Sequence, residues 1–123
     1  MRKILLLGAS ALAFAMASGA EAAGKLTLYC SPQEEWCQLM VTEFTKATGI
    51  EVAMTRKSSG ETYAQIKAEA SNPKGDVWWG GTGDPHLQAA EQGLSMEYKS
   101  PTLPKLHAWA QKQAAQSGYR TVG

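Results

Sequence analysis

Little in this chain is abundant. Of its 123 residues only two are cysteine, two histidine and two phenylalanine, and its charges nearly cancel, with 12 Lys and Arg against 11 Asp and Glu. His86 and His107 are the only imidazoles, and neither a His-Glu-x-x-His metalloprotease pair nor a Gly-x-Ser-x-Gly nucleophile elbow occurs. Balanced charge argues against nucleic acid or an anionic membrane as the main partner. No run of like charge, low-complexity tract or internal repeat appears. The one long apolar run, Ile4 to Met16, falls short of the ~20 residues that a membrane span requires.

That run has another reading. Met1-Arg2-Lys3 is a short positive segment, the apolar stretch follows it, and Ala17 to Ala23 is rich in small residues, with Ala20-Glu21-Ala22 fitting an A-x-A cleavage site. A signal peptide is expected over residues 1–22, removed near Ala22 or Ala23. Its loss takes away Arg2, Lys3 and Glu21 and brings the two charge signs level. About a hundred residues remain, enough for one small domain and one modest core. Two cysteines in an exported chain read as a disulfide between Cys30 and Cys37, which the chain-entropy account values at roughly 2.5 kcal/mol for so short a loop. The C-x6-C spacing is looser than the C-x-x-C of a redox pair, and a metal site would need further ligands nearby. No metal or cofactor is expected.

What is present is a repeated local grammar. Lys25 to Cys30 alternates as a short strand, and Ser31-Pro32-Gln33-Glu34 reads as a capping box that starts a helix. Trp36, Leu39, Met40, Phe44 and Ala47 recur at helical spacing as a stripe expected to face a core, and Thr48-Gly49 ends the helix. Ile50 to Arg56 is a second strand, Ser58-Ser59-Gly60-Glu61 a second capping box, and Asn72-Pro73 the stop of its helix. Asp76 to Trp79 is a third strand, followed by the glycine loop Gly80-Gly81-Thr82-Gly83 and a helix from about Pro85 to Gln92, with Asp84 as its cap. One of Trp78 and Trp79 is expected in the core and the other on the opposite side of the sheet or in the cleft, while Trp36 and Trp109 read as packing residues. A further helix is expected within Leu103 to Gln116 with Leu106, Trp109 and Ala110 inward, and Gly118 to Gly123 resembles the start of another strand.

Strands that alternate with helices across short loops predict an α/β fold built on a three-stranded parallel βαβ sheet. In such a sheet every strand-to-helix junction opens at the carboxyl ends of the strands. Cys30–Gln33, Lys57–Glu61 and Gly80–Asp84 therefore converge. Their small hydroxyls and helix N-terminal N–H groups suit a phosphate or carboxylate, with Arg56 and Lys57 adding charge.

The stretches LTLYCSPQEEW, TGIEVAMTRKSSGETYAQIKAE and GDVWWGGTGDPHLQAAEQGL occur in this order from about Lys25 to the last residue. Together they resemble the N-terminal lobe of bacterial ABC-transporter solute-binding proteins, in the family-1 group that takes ferric ion, phosphorylated sugars and phosphonates. The resemblance implies a hinged, two-lobed periplasmic binding protein of type II topology, and no enzyme. It also implies that residues 23–123 are a partial N-terminal lobe, truncated before the hinge and second lobe. The ferric-binding members place a His after the first strand and a Glu after the third, where this chain has Gln33 and Gly81. The chemistry left is that of the anion-binding members. On that basis Ser31, Ser59, Gly60, Gly81 and Thr82 are the expected contacts, with Ser58, Glu61 and Asp84 next in line and Asp84 also serving as a cap. The implied partners are a small anionic solute and ABC permease subunits of the inner membrane, the implied location is the periplasm, and the implied state is a monomer that binds no nucleic acid. The competing readings are a ferric-ion importer component, a truncated product that is poorly folded and without function, and an exported thiol-disulfide enzyme.

Overall fold

Leu26, Leu28 and Cys30 alternate with Thr27 and Tyr29 along β1 (Lys25–Cys30), so the strand turns apolar side chains to one face and polar ones to the other. A computed structural model describes residues 24–122; the expected signal peptide lies outside them. β1 is followed by α1 (Glu34–Thr48), β2 (Glu51–Arg56), α2 (Ser59–Ala68), β3 (Val77–Trp79), α3 (Gly83–Glu91), a short 3-10 turn at Leu103–Lys105, and α4 (Ala108–Gln116). The three strands pair in the order β2-β1-β3, both pairings parallel, with Leu28 opposite Met54 on one side and Val77 on the other. The α/β class and the three-stranded parallel sheet are as expected.

The strand alternation separates two layers. Leu28, Cys30 and Cys37 form the buried centre of one, with Leu26, Val41, Val52, Met54 and Trp79 packed against it. The Cys30–Cys37 disulfide is formed and joins the end of β1 to the first turns of α1. On the other face the Tyr29 hydroxyl donates to Glu69 at 2.7 Å and accepts from Gln65 at 3.2 Å, which places α2 there. The two tryptophans divide between the layers, with Trp79 in the apolar layer and the Trp78 indole bonded to Ser31.

Several expectations need correction. Trp36 and Leu39 are each 61% exposed, and Met40 and Phe44 are also open to solvent, so the expected α1 stripe is not core. The disulfide and Val41 fix which side of α1 meets the sheet. Met40 and Phe44 are left along an apolar groove of about 150 Å³ that Leu26, Leu28, Val52, Val77 and Trp79 also line. A sheet three strands wide offers nothing opposite the outer flank of that helix among the described residues. Likewise Leu106 and Trp109 lie exposed, whereas Leu103, Ala110 and Ala114 are buried. Tyr119 adopts a left-handed conformation and its carbonyl accepts from Tyr98 N–H, so this stretch is a turn and not a strand.

Candidate functional site

The strand order 2-1-3 reverses direction between β1 and β3, and in open parallel sheets the crevice lies outside the carboxyl ends at such a reversal. The junctions are stitched together there. Ser31 N–H donates to the Trp79 carbonyl at 3.1 Å, Lys57 N–H to the Cys30 carbonyl at 3.1 Å, and Arg56 Nε to the Pro32 carbonyl at 3.0 Å.

Ser31 does not cap α1. The helix starts at Glu34 with Gln33 before it and no side-chain cap, so Ser31 is free for other work. It is 7% exposed, and its Oγ accepts from Trp78 Nε1 at 2.9 Å and lies 3.2 Å from Thr62 Oγ1. Ser59, also buried, accepts from the Thr82 N–H at 2.9 Å. Gly81 sits between these serines at φ 93, where a Cβ would overlap Ser59 Oγ and come within 2.8 Å of Ser31 Cβ. Only glycine fits that backbone and that space. Ser31, Ser59, Gly81 and Thr82 are thus brought together from three junctions.

The other candidates stand around them. Ser58 and Glu61 form the predicted capping box: Ser58 N–H donates to Glu61 Oε2 at 3.0 Å and Ser58 Oγ accepts from Glu61 N–H at 3.4 Å. The hydrogen bonds from Ser58 hold the Glu61 carboxyl below its ordinary range. Gly60 is exposed in the first turn of α2, where main-chain N–H groups lack helical partners, and no side chain crowds it. Asp84 is not a cap. α3 begins at Gly83 behind Thr82, so Asp84 and Pro85 occupy its first turn, where proline lacks only an N–H that would have had no helical partner. Lys57 Nζ donates to Gln65 at 2.6 Å.

Thr62 and His86 were not anticipated at the site, whereas Trp78 takes the side expected of one of the two tryptophans. Thr62 is 1% exposed and faces Ser31 from α2. Trp78 stacks on His86, with ring centroids 3.6 Å apart. His86 Nε2 lies 2.9 Å from the Gly80 carbonyl, an acceptor, so that nitrogen carries a proton and donates. Burial pushes the His86 pKa down, against a smaller upward pull from that carbonyl, and favours a neutral ring. The available signal was the spacing Ser59, Thr62, Ile66, which sets two hydroxyls on the inward side of α2.

The arrangement offers serine and threonine hydroxyls and the main-chain N–H groups at the start of α2. Among the described residues no three His, Cys, Asp or Glu side chains cluster as metal ligands, and no helix is long and apolar enough to cross a membrane.

A family model described as bacterial extracellular solute-binding protein matches residues 26–120. An uncharacterized protein of Haemophilus influenzae is 38% identical over 96 residues, which is 78% of this chain and 28% of that protein. The periplasmic binding protein P5PA superposes with a TM-score of 0.72 at 36% identity, over 77% of this chain and 30% of its own. AfuA from Actinobacillus pleuropneumoniae, solved with exogenous fructose 6-phosphate bound, gives 0.70 at 39% identity, over 72% and 28%. FutA of Trichodesmium, in complex with iron and citrate ligands, gives 0.59 at 28% identity, over 67% and 26%. The chain therefore spans less than a third of the length of each of these relatives.

Proposed function

We propose that this chain, which belongs to the bacterial extracellular solute-binding protein family, captures a small anionic organic solute, phosphorylated or carboxylated, for an ABC importer. The observation that carries the reading is the convergence of two buried serine hydroxyls and a glycine loop at the β1/β3 reversal. Ser31 and Ser59 donate to anionic oxygens, Gly81 lets the two serines lie side by side, and Gly60 and the start of α2 lend main-chain N–H groups. Thr82, whose own N–H is held by Ser59, contributes its hydroxyl. Ser58, Glu61 and Asp84 lie around this centre and shape its rim. The site performs no chemistry. AfuA, whose structure holds fructose 6-phosphate, lends the phosphate ester its support.

In this reading residues 1–22 are a cleaved leader and residues 23–123 are part of one lobe. The protein acts as a monomer in the periplasm, delivers its solute to permease subunits of the inner membrane, and closes about a hinge onto a second lobe. A second reading, a ferric-ion carrier, has the iron-and-citrate complex of FutA in its favour. The test is the phosphorus resonance of fructose 6-phosphate with the full chain added, alongside inorganic phosphate and ferric citrate. Broadening that disappears in a Ser31→Ala, Ser59→Ala double variant supports the anion reading. No effect of either phosphate, with ferric citrate perturbing the Gly80–Thr82 amides, replaces it with the ferric one.

A further inference from the structure

The Ser31 hydroxyl stands in an unusual hydrogen-bonding position. Its Oγ faces two groups, the Trp78 indole N–H at 2.9 Å and the Thr62 hydroxyl at 3.2 Å. An indole N–H only donates, so it takes one lone pair of Ser31. The Thr62 contact has two possible directions, and burial separates them. Thr62 is 1% exposed and Ser31 is the sole hydrogen-bond partner of its hydroxyl among the described residues. If Ser31 donated to Thr62, the Thr62 hydrogen would be shut inside the protein with no acceptor, which is the costly arrangement for a buried donor. If Thr62 donates, both lone pairs of Ser31 are taken, and the one hydrogen left over is that of Ser31 itself. That hydrogen belongs to a group 7% exposed, packed beside Gly81, whose lack of a side chain lets Ser31 and Ser59 lie close together.

Trp78 cannot easily turn away. Its ring is stacked on His86 at 3.6 Å with an interplanar angle of 20°, and His86 is itself tied to the Gly80 carbonyl. The stack fixes the indole plane and with it the direction of the N–H.

We infer that Thr62 and Trp78 are positioning residues that make the Ser31 hydroxyl a one-way donor, so that the β1–α1 junction takes an acceptor oxygen and turns away N–H and ammonium groups. This rests on the anion-site reading above and adds to it a direction, and two residues that set it. The same network makes the donor stronger, because a hydroxyl that accepts two hydrogen bonds is polarised toward donating its own.

The experiment has a ligand-free arm and a binding arm, both on the full chain. In the first, hydroxyl hydrogens are observed by NMR at low temperature. A protected Thr62 hydroxyl resonance with a cross-peak to the Ser31 β-hydrogens, absent in Thr62→Val, is the result expected. A protected Ser31 hydroxyl resonance instead, or no protected Thr62 hydroxyl, overturns the proposal. In the second, fructose 6-phosphate is titrated into wild type, Thr62→Val and Thr62→Ser. Thr62→Val should weaken binding by roughly five- to tenfold, and Thr62→Ser, which keeps the hydroxyl, should restore it to about twofold of wild type. The opposite direction of the bond predicts tighter binding in Thr62→Val, since it would release the Ser31 hydrogen. Tighter or unchanged binding therefore sinks the proposal, and so does a Thr62→Ser variant as weak as Thr62→Val. If wild type does not bind fructose 6-phosphate, the sugar-phosphate form of the functional reading fails, and the ligand-free arm alone decides this one.

Discussion

Gly81 offers the sharpest test of how the site is built, because a single methyl group at that position meets two independent obstacles. Its φ of 93 lies in the region that side chains avoid, a strain of roughly 1–3 kcal/mol for alanine. The added Cβ also overlaps Ser59 Oγ and sits 2.8 Å from Ser31 Cβ, so one or both serines must move, at a further cost of about 1–3 kcal/mol. Ser59 cannot move without loosening the Thr82 N–H that it holds at 2.9 Å. Gly81→Ala should therefore destabilise the fold by at least ~2 kcal/mol, which in a domain of this size is about 8–16 °C in melting temperature. Gly60→Ala is the control. Nothing lies within 4 Å of a Cβ there and the residue is helical, so alanine should be neutral or stabilise by up to about 1 kcal/mol. Thermal melts followed by circular dichroism, supported by urea titration, compare the two variants. Equal melting temperatures for Gly81→Ala and Gly60→Ala would refute the packing argument.

Three further outcomes follow from the same interactions. Cys30 and Cys37 are fully buried and bonded, so reducing the disulfide should cost about 2–5 kcal/mol, measured as the urea midpoint with and without reductant. Burial depresses the His86 pKa from 6.5, so its contribution to stability is whole above that pH and declines as the pH falls below it. Glu61 and Glu69 are held below 4.5 by their hydrogen bonds and give up their contribution only in more acid solution. Urea midpoints between about pH 7.5 and pH 5 should thus fall more steeply in wild type than in His86→Asn, and parallel curves would contradict the assignment. Tyr29→Phe removes a hydroxyl bonded to both Glu69 and Gln65 and should destabilise by about 1 kcal/mol, seen in the same titration; no change would mean that water replaces it without loss.

Much of the fold was legible because its signals are local. The Ser58–Glu61 capping box, the Gly49 helix stop at φ 72 and the β1 alternation each depend on a few neighbouring residues. The failures at the helix starts share one cause, competition from groups distant in sequence. Ser31-Pro32-Gln33-Glu34 has the letters of a capping box, yet the Trp78 indole and Thr62 engage Ser31, and α1 starts without it. Asp84-Pro85 looks like a helix start, but Thr82, pinned by Ser59, begins the turn earlier. The α1 stripe obeys helical periodicity and still lies exposed at Trp36 and Leu39, because periodicity says which residues share a face and not whether anything covers it. Thr62 and His86 carry no motif. They matter through partners 31 and 6 residues away, which only folding brings close.

The measurement that goes most directly to the central claim is an amide chemical-shift map of the full chain titrated with fructose 6-phosphate. Shifts concentrated at Ser31, at Ser59 and Gly60, and at Gly81 and Thr82, saturating together at one affinity, are what an anion site at the β1/β3 reversal requires. Shifts centred on the apolar groove beside Met40 and Phe44, or scattered with no common affinity, would contradict it.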